Sequence, residues 1–172
     1  MRRTAYDSTC TIARALDIVG PRWNLLILRE AVNGVTRFAD FRTLLGITPD
    51  VLSSRLADLV DAQVLERRTY QEPGDRPREE YVLTERGHDL KLVLAALQQW
   101  GDRYVPSDLG PTVVRRRHAD DGTPDGVVGV GFVDDDGTQV PADQVVFEPR
   151  PDTPAFGRYE PYRHEAQDSL RR

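Results

Sequence analysis

The sequence predicts an α+β chain: a helix-rich domain with one β-hairpin and a long closing helix, followed by a small β-rich extension. Three observations carry that expectation. Apolar residues recur at three-to-four spacing through most of residues 10–105, the mark of amphipathic helices. The pattern is interrupted once, at residues 64–84, by two strand-like segments flanking a Pro/Gly turn. Beyond Pro106 the helical period disappears, and short apolar runs alternate with Asp/Gly clusters. The expected boundary therefore separates a domain of residues 1–105 from an extension of residues 106–172.

Taken in order, residues 10–19, CTIARALDIV, place Ile12, Leu16 and Val19 on one helix face and stop at Gly20-Pro21. Residues 22–34, RWNLLILREAVNG, carry Trp23, Leu25, Leu26, Ile27, Leu28, Ala31 and Val32, which leave almost no polar face. Such a helix belongs at the centre of the core. Asn33-Gly34 ends it with residues that tolerate left-handed φ. Residues 37–46, RFADFRTLLG, hold Phe38, Phe41, Leu44 and Leu45 as an apolar face and close again on glycine. After Ile47 alone, residues 48–63 open with Thr48 as N-cap and Pro49 at the first helical position. Leu52, Leu56 and Leu59 form the buried stripe of this helix. Asp50, Ser54, Ala57 and Asp61 point the opposite way, with Ser53 and Asp58 on the flanks.

Two short helices joined by a tight glycine turn, the second with short polar side chains at its leading end, make the helix-turn-helix pattern. Ile47 is expected to be the buried plug of the turn. Residues 64–71, VLERRTYQ, and 78–84, REEYVLT, read as strands joined by EPGDRP. A hairpin in that position is a wing. Arg67 and Arg68 lie on its first strand, and Arg76 and Arg78 at its tip. Thr84 then starts the long helix, with Glu85 suited to the positive end of the helix dipole. Leu90, Val93, Leu94, Leu97, Trp100 and Tyr104 form a stripe wide enough to pack on the domain and on a second copy. Together with Leu16 they are read as a dimerisation surface, the alternative being a helix packed wholly within its own chain.

The extension holds Arg115, Arg116, Arg117 and His118, then VVGVGFV, an Asp134-Asp135-Asp136-Gly137 turn, TQV, and a further apolar run at residues 145–147. Two or three short strands joined by Asp/Gly turns are expected there. The segment from Pro149 onward, with Pro151, Pro154 and Pro161, is expected to be irregular or docked in extended form.

Composition narrows the function classes. A hydrophobic content of 39% supports a packed core, and no apolar run approaches the roughly 20 residues of a membrane span. The arginines at the N-terminus are followed by no apolar segment of signal-peptide type, so a cytoplasmic location is expected. A single cysteine, Cys10, excludes an internal disulfide framework, and one cysteine with three scattered histidines gives no zinc spacing. His88, His118 and His164 are accompanied by no paired acid, base or nucleophile, so neither an enzyme nor a cofactor is expected. The net charge of −5 argues against binding nucleic acid through a bulk positive field. Its distribution changes the inference. Residues 1–105 hold 15 Lys and Arg against 15 Asp and Glu, whereas residues 106–172 hold 8 against 13. Grouped arginines on a neutral domain still bind phosphates, because the interaction acts within a Debye length of about 8 Å.

The residues also resemble one family, the HxlR-type winged helix-turn-helix regulators of bacteria, relatives of the broader MarR-like group. The matching marks are Cys10, the segment from Leu16 through Gly20 to Trp23, the LLILRE run, and Gly34 followed by Arg37-Phe38. They continue through Ile47-Thr48, the VLSSRLADL helix, Pro77-Arg78, Glu80-Tyr81, Leu83-Thr84, Gly87 and Trp100, covering about residues 10–105. Glu79 departs from the pattern, standing where the family carries an apolar residue. The extension is similar to one found on longer members, whose strands carry paired cysteines suggestive of a metal ribbon. Those cysteines are absent here, so no metal is carried over.

The resemblance implies a homodimeric DNA-binding transcriptional regulator, a repressor, whose partner is a double-stranded, palindromic operator. Each protomer would lay residues 48–61 in a major groove and reach flanking backbone with its wing. Thr48, Asp50, Ser53 and Ser54 are the base-edge candidates; Asp50 either accepts from cytosine or turns back to cap its helix. Arg37, Arg42, Arg55, Arg76 and Arg78 are the phosphate candidates, with ion pairing to Asp58 and Glu66 the alternative for Arg55 and Arg67. The resemblance also points to Cys10 as a redox or electrophile sensor, against the alternative of a buried, inert thiol. Trp100, Tyr104 and Phe132 are candidates to line an effector pocket. Two other readings stay open: a winged-helix protein-interaction module, and a small-molecule sensor centred on the extension.

Overall fold

In the computed structural model the described residues are 10–71, 74, 76–105, 108, 110, 116–118 and 123–147. Five helices and a hairpin run in the expected order: α1 Thr11–Val19, α2 Arg22–Val32, α3 Phe38–Leu45, α4 Pro49–Asp61, β1 Leu65–Tyr70, β2 Arg78–Leu83 and α5 Glu85–Tyr104. The described residues between Ala15 and Val127 form one compact unit. Its centre is α2, whose Ile27 and Leu28 are wholly buried and which touches α3, α4, α5 and β2. Phe41 of α3, Leu52, Leu56 and Leu59 of α4, and Val64 and Leu65 at the foot of the hairpin complete the core. Asn24 is a buried polar member of α2, and its Nδ2 donates to the Ile18 carbonyl at the end of α1 at 2.6 Å. That bond satisfies one of the carbonyls a helix end leaves without an internal partner.

The hairpin is antiparallel with Leu65 opposite Leu83 and Tyr70 opposite Arg78. Its burial does not alternate: only Leu65 of β1 is buried, because the strand leaves the core after its first residue. A third segment joins the sheet, since Thr36 accepts from the Tyr81 N–H at 2.8 Å and Arg37 bridges Glu80. Helix α5 is capped by Thr84, whose hydroxyl accepts from the Gly87 N–H at 3.1 Å. The same hydroxyl donates to the Gln63 carbonyl at 2.8 Å, tying the end of α4 to the start of α5. Gly87 is required there: a Cβ would stand 2.2 Å from the Val64 carbonyl oxygen.

Three expectations are corrected within this unit. Leu44 is 59% exposed, not part of the buried face of α3. On a helix it lies about 100° from Leu45 and about 120° from Phe38, at the edge of the face those two share with Phe41, and that edge is left uncovered. Thr48 occupies the N-cap position of α4 in extended backbone, but its hydroxyl makes no capping bond. Pro49 at the first helical position lacks an N–H, so this helix starts with one orphan donor fewer. Arg67 pairs across the hairpin with Glu79 at 3.9 Å, while Glu66 is taken by Arg68 at 2.6 Å.

In the extension, β3 Arg116–His118 pairs with β4 Pro124–Val127, and β5 Phe132–Val133 with β6 Gln139–Val140. The turn between β5 and β6 is the expected Asp/Gly type: Asp134 Oδ1 accepts from the N–H groups of Asp136 and Thr138. Residues 10–14 and 128–147 belong to a second compact unit. The apolar run at 145–147 is not a strand. It leaves a short 3-10 turn, Ala142–Gln144, and Phe147 packs edge-on against Phe132 at 6.4 Å instead of joining a ladder. Pro106, Arg115 and the chain from Pro149 onward lie outside the described residues.

Candidate nucleic-acid interface

The turn between α3 and α4 is three residues, Gly46, Ile47 and Thr48. Gly46 has φ +61°, a left-handed conformation that favours glycine, and its N–H closes α3 on the Arg42 carbonyl. Ile47 is buried as the plug. With α4 clamped through Leu52, Leu56 and Leu59, its opposite face is presented outward, and Thr48, Asp50, Ser53 and Ser54 are all exposed. Val51 on the same leading turn is 38% exposed, a position the polar pattern did not single out. An exposed Val beside short polar groups suits a surface that meets base edges, where a thymine methyl is the apolar feature.

The arginines fall into two groups. Arg55 is engaged by Asp58 of its own helix at 2.9 Å and reaches Ser54 Oγ at 3.4 Å, so the ion-pair alternative holds for its resting state. Arg37, Arg42, Arg76 and Arg78 are exposed around the helix-turn-helix and the wing. Alternation along the hairpin sorts the rest: Arg67, Thr69, Glu79 and Tyr81 share one face, and Arg68, Tyr70, Arg78 and Glu80 the other. Arg67 lies over Tyr81, its Cζ 6.0 Å from the ring centre. On the second face Arg37 covers Tyr70 at 4.6 Å. Glu79, the residue that departs from the family pattern, stays exposed and serves Arg67. An open groove of about 520 Å³ lies beside α3, where Val35, Arg37, Asp40 and Leu44 are among the residues lining it.

The long helix divides its stripe. Leu90 and Leu94 pack against the core, while Val93, Leu97, Trp100 and Tyr104 are 42–59% exposed on the adjacent side. Trp100 and Tyr104 touch each other at 5.5 Å. On α1, Leu16 is also uncovered, at 53%. Of the suggested effector residues, Trp100 and Tyr104 therefore sit together, and Phe132 belongs to the second compact unit with Phe147. Cys10 is half-buried at the head of α1, its carbonyl accepting from the Arg14 N–H at 3.0 Å. Among the described residues no cluster of three or more His, Cys, Asp or Glu is placed to hold a metal ion. No described helix is long and apolar enough to cross a membrane.

Sequence reasoning missed Tyr70, Thr36 and Asn24. Tyr70 was legible only as a β-former, since its partner is 33 positions away in sequence. Asn24 sat unremarked inside an apolar run.

Comparison with known proteins places this geometry. Residues 18–109 match the model of the HxlR-like helix-turn-helix family. The uncharacterized HTH-type transcriptional regulator Mb3122 of Mycobacterium bovis is 47% identical over 108 residues, 63% of this chain and 67% of that protein. Among solved structures, PA1607 superposes with a TM-score of 0.68 at 31% identity, covering 86% of this chain and all of that one. The oxidized form of the redox regulator HypR superposes with a TM-score of 0.50 at 29% identity, over 54% of this chain and 95% of that one.

Proposed function

The chain belongs to the HxlR-like helix-turn-helix family of DNA-binding transcriptional regulators, and from that premise we propose that it acts as a homodimeric repressor whose DNA affinity answers a redox or small-molecule signal. The observation that carries this reading is the outward face of α4. Thr48, Asp50, Ser53 and Ser54 stand exposed on a helix locked to the core by three wholly buried leucines. A rigid element with short polar side chains reads base edges, while attraction comes from the arginines beside it and on the wing. Because α4 carries no Lys or Arg on its outer face, selectivity and affinity reside on different residues.

The uncovered row on α5, with Leu16 of α1, supports a second copy of this chain as its partner. A twofold dimer would carry two α4 helices to half-sites about one helical turn apart, on a palindromic operator. The redox component rests on Cys10 and on the likeness to HypR. Within a dimer, peroxide would take two electrons and two protons from a pair of Cys10 thiols, leaving one intermolecular disulfide and two waters.

Footprinting on DNA upstream of the gene tests the reading. Two protected half-sites spaced by about 10 base pairs or a multiple, weakened when peroxide is added, are the expected result. A single unrepeated half-site at saturation would refute the dimer, and protection that ignores peroxide would refute the redox signal.

A further inference from the structure

Arg37 is held in three ways that its position in the sequence does not reveal. Its backbone is extended at the N-cap of α3, with φ −92° and ψ 139°. The Thr36 carbonyl accepts from Tyr81, and Arg37 itself bridges Glu80, which pins this backbone to β2. Its guanidinium carbon lies 4.6 Å from the centre of the Tyr70 ring, at the outer end of β1. Tyr70 is half-buried, stands directly opposite Arg78, and shares its face of the hairpin with Arg68.

A guanidinium stacked on a ring uses its flat face, while its five N–H donors lie in the plane and point past the ring edge. Stacking is therefore compatible with phosphate binding and narrows the rotamers that must be frozen when phosphate is bound. From this geometry we propose that Tyr70 is a positioning residue. Its ring aims Arg37 at the DNA backbone and couples the helix-turn-helix to the wing, so that Arg37 meets the duplex together with Arg78, while Arg68 stays paired with Glu66. The proposal rests on the reading of Arg37 as a phosphate contact.

The test is a double-mutant cycle read by fluorescence anisotropy on a mixed-sequence duplex of about 30 base pairs, over a series of salt concentrations. Arg37→Ala should weaken binding about 5–10-fold and lower the slope of log K against log salt by about 1. Tyr70→Leu should weaken binding about 2–5-fold with Arg37 present, the size of an exposed cation–π contact, and have no further effect once Arg37 is alanine. Tyr70→Phe keeps the ring and should bind within about twofold of the native chain. Equal losses from Tyr70→Leu in both backgrounds, or a loss from Tyr70→Phe as large as that from leucine, would overturn the positioning role. An Arg37→Ala chain with unchanged affinity and slope would overturn the phosphate contact and the inference with it. Salt-independent binding by the native chain would instead overturn the DNA-binding reading itself.

Discussion

Replacing Trp100 by alanine tests the dimer without disturbing the core. Trp100 is 59% exposed in the single chain. For a side chain of about 200 Å² this leaves about 120 Å² to cover, or about 3 kcal/mol at ~25 cal/mol per Å². A twofold interface covers the residue twice, so complete burial would make the loss about 6 kcal/mol. Incomplete coverage and the cost of docking reduce the expected effect to about half, about 3 kcal/mol or roughly 100-fold in the dimer dissociation constant. Sedimentation velocity over a dilution series measures it. Lys91 is the internal control, being exposed and half a turn around α5 from Trp100. Lys91→Ala should leave the dissociation constant unchanged. An unchanged constant for Trp100→Ala, or an equal loss for Lys91→Ala, would refute the assignment of the interface to this row.

Other substitutions probe the rest of the account. In Gly87→Ala the new Cβ meets the Val64 carbonyl oxygen at 2.2 Å; the forced shift should cost about 3 kcal/mol and lower Tm by about 10 °C, whereas a Tm within 2 °C would show the contact is relieved cheaply. Cys10→Ser should bind DNA as the native chain does but lose its response to peroxide; a retained response in the same anisotropy assay would rule out this thiol as the sensor.

The helical frame was legible because each segment carries one apolar face and a punctuating residue. Leu52, Leu56 and Leu59 repeat at a single angle, and Gly46 and Thr84 mark ends that the backbone confirms. The wing was legible from its turn chemistry and position. The exceptions share a physical origin. Leu44 and Leu45 are both apolar neighbours on a short helix, and only the packing around Phe41 decides which is covered. The bridge from residues 36–37 to β2, and the stack of Arg37 on Tyr70, join positions far apart in sequence, where periodicity carries no signal. The run at 145–147 is too short to tell a strand from a loop whose aromatic finds a ring partner. Within the candidate site, the exposed polar face of α4 followed from helical angles alone. The pairing of arginines with carboxylates did not, since Glu66 and Glu79 compete for Arg67 and Arg68 and cross-strand register settles the outcome.

The central claim is the division of labour between α4 and the arginines, and one comparison tests it most directly. Affinities for the footprinted site and for a mixed-sequence duplex are measured for the native chain, Ser53→Ala, Ser54→Ala and Arg78→Ala at several salt concentrations. The account predicts that each serine variant narrows the gap between the two duplexes with little change on mixed sequence. Arg78→Ala should weaken both duplexes alike and lower the salt slope by about 1. The reverse pattern, with the serines setting overall affinity and Arg78 setting sequence preference, would contradict it.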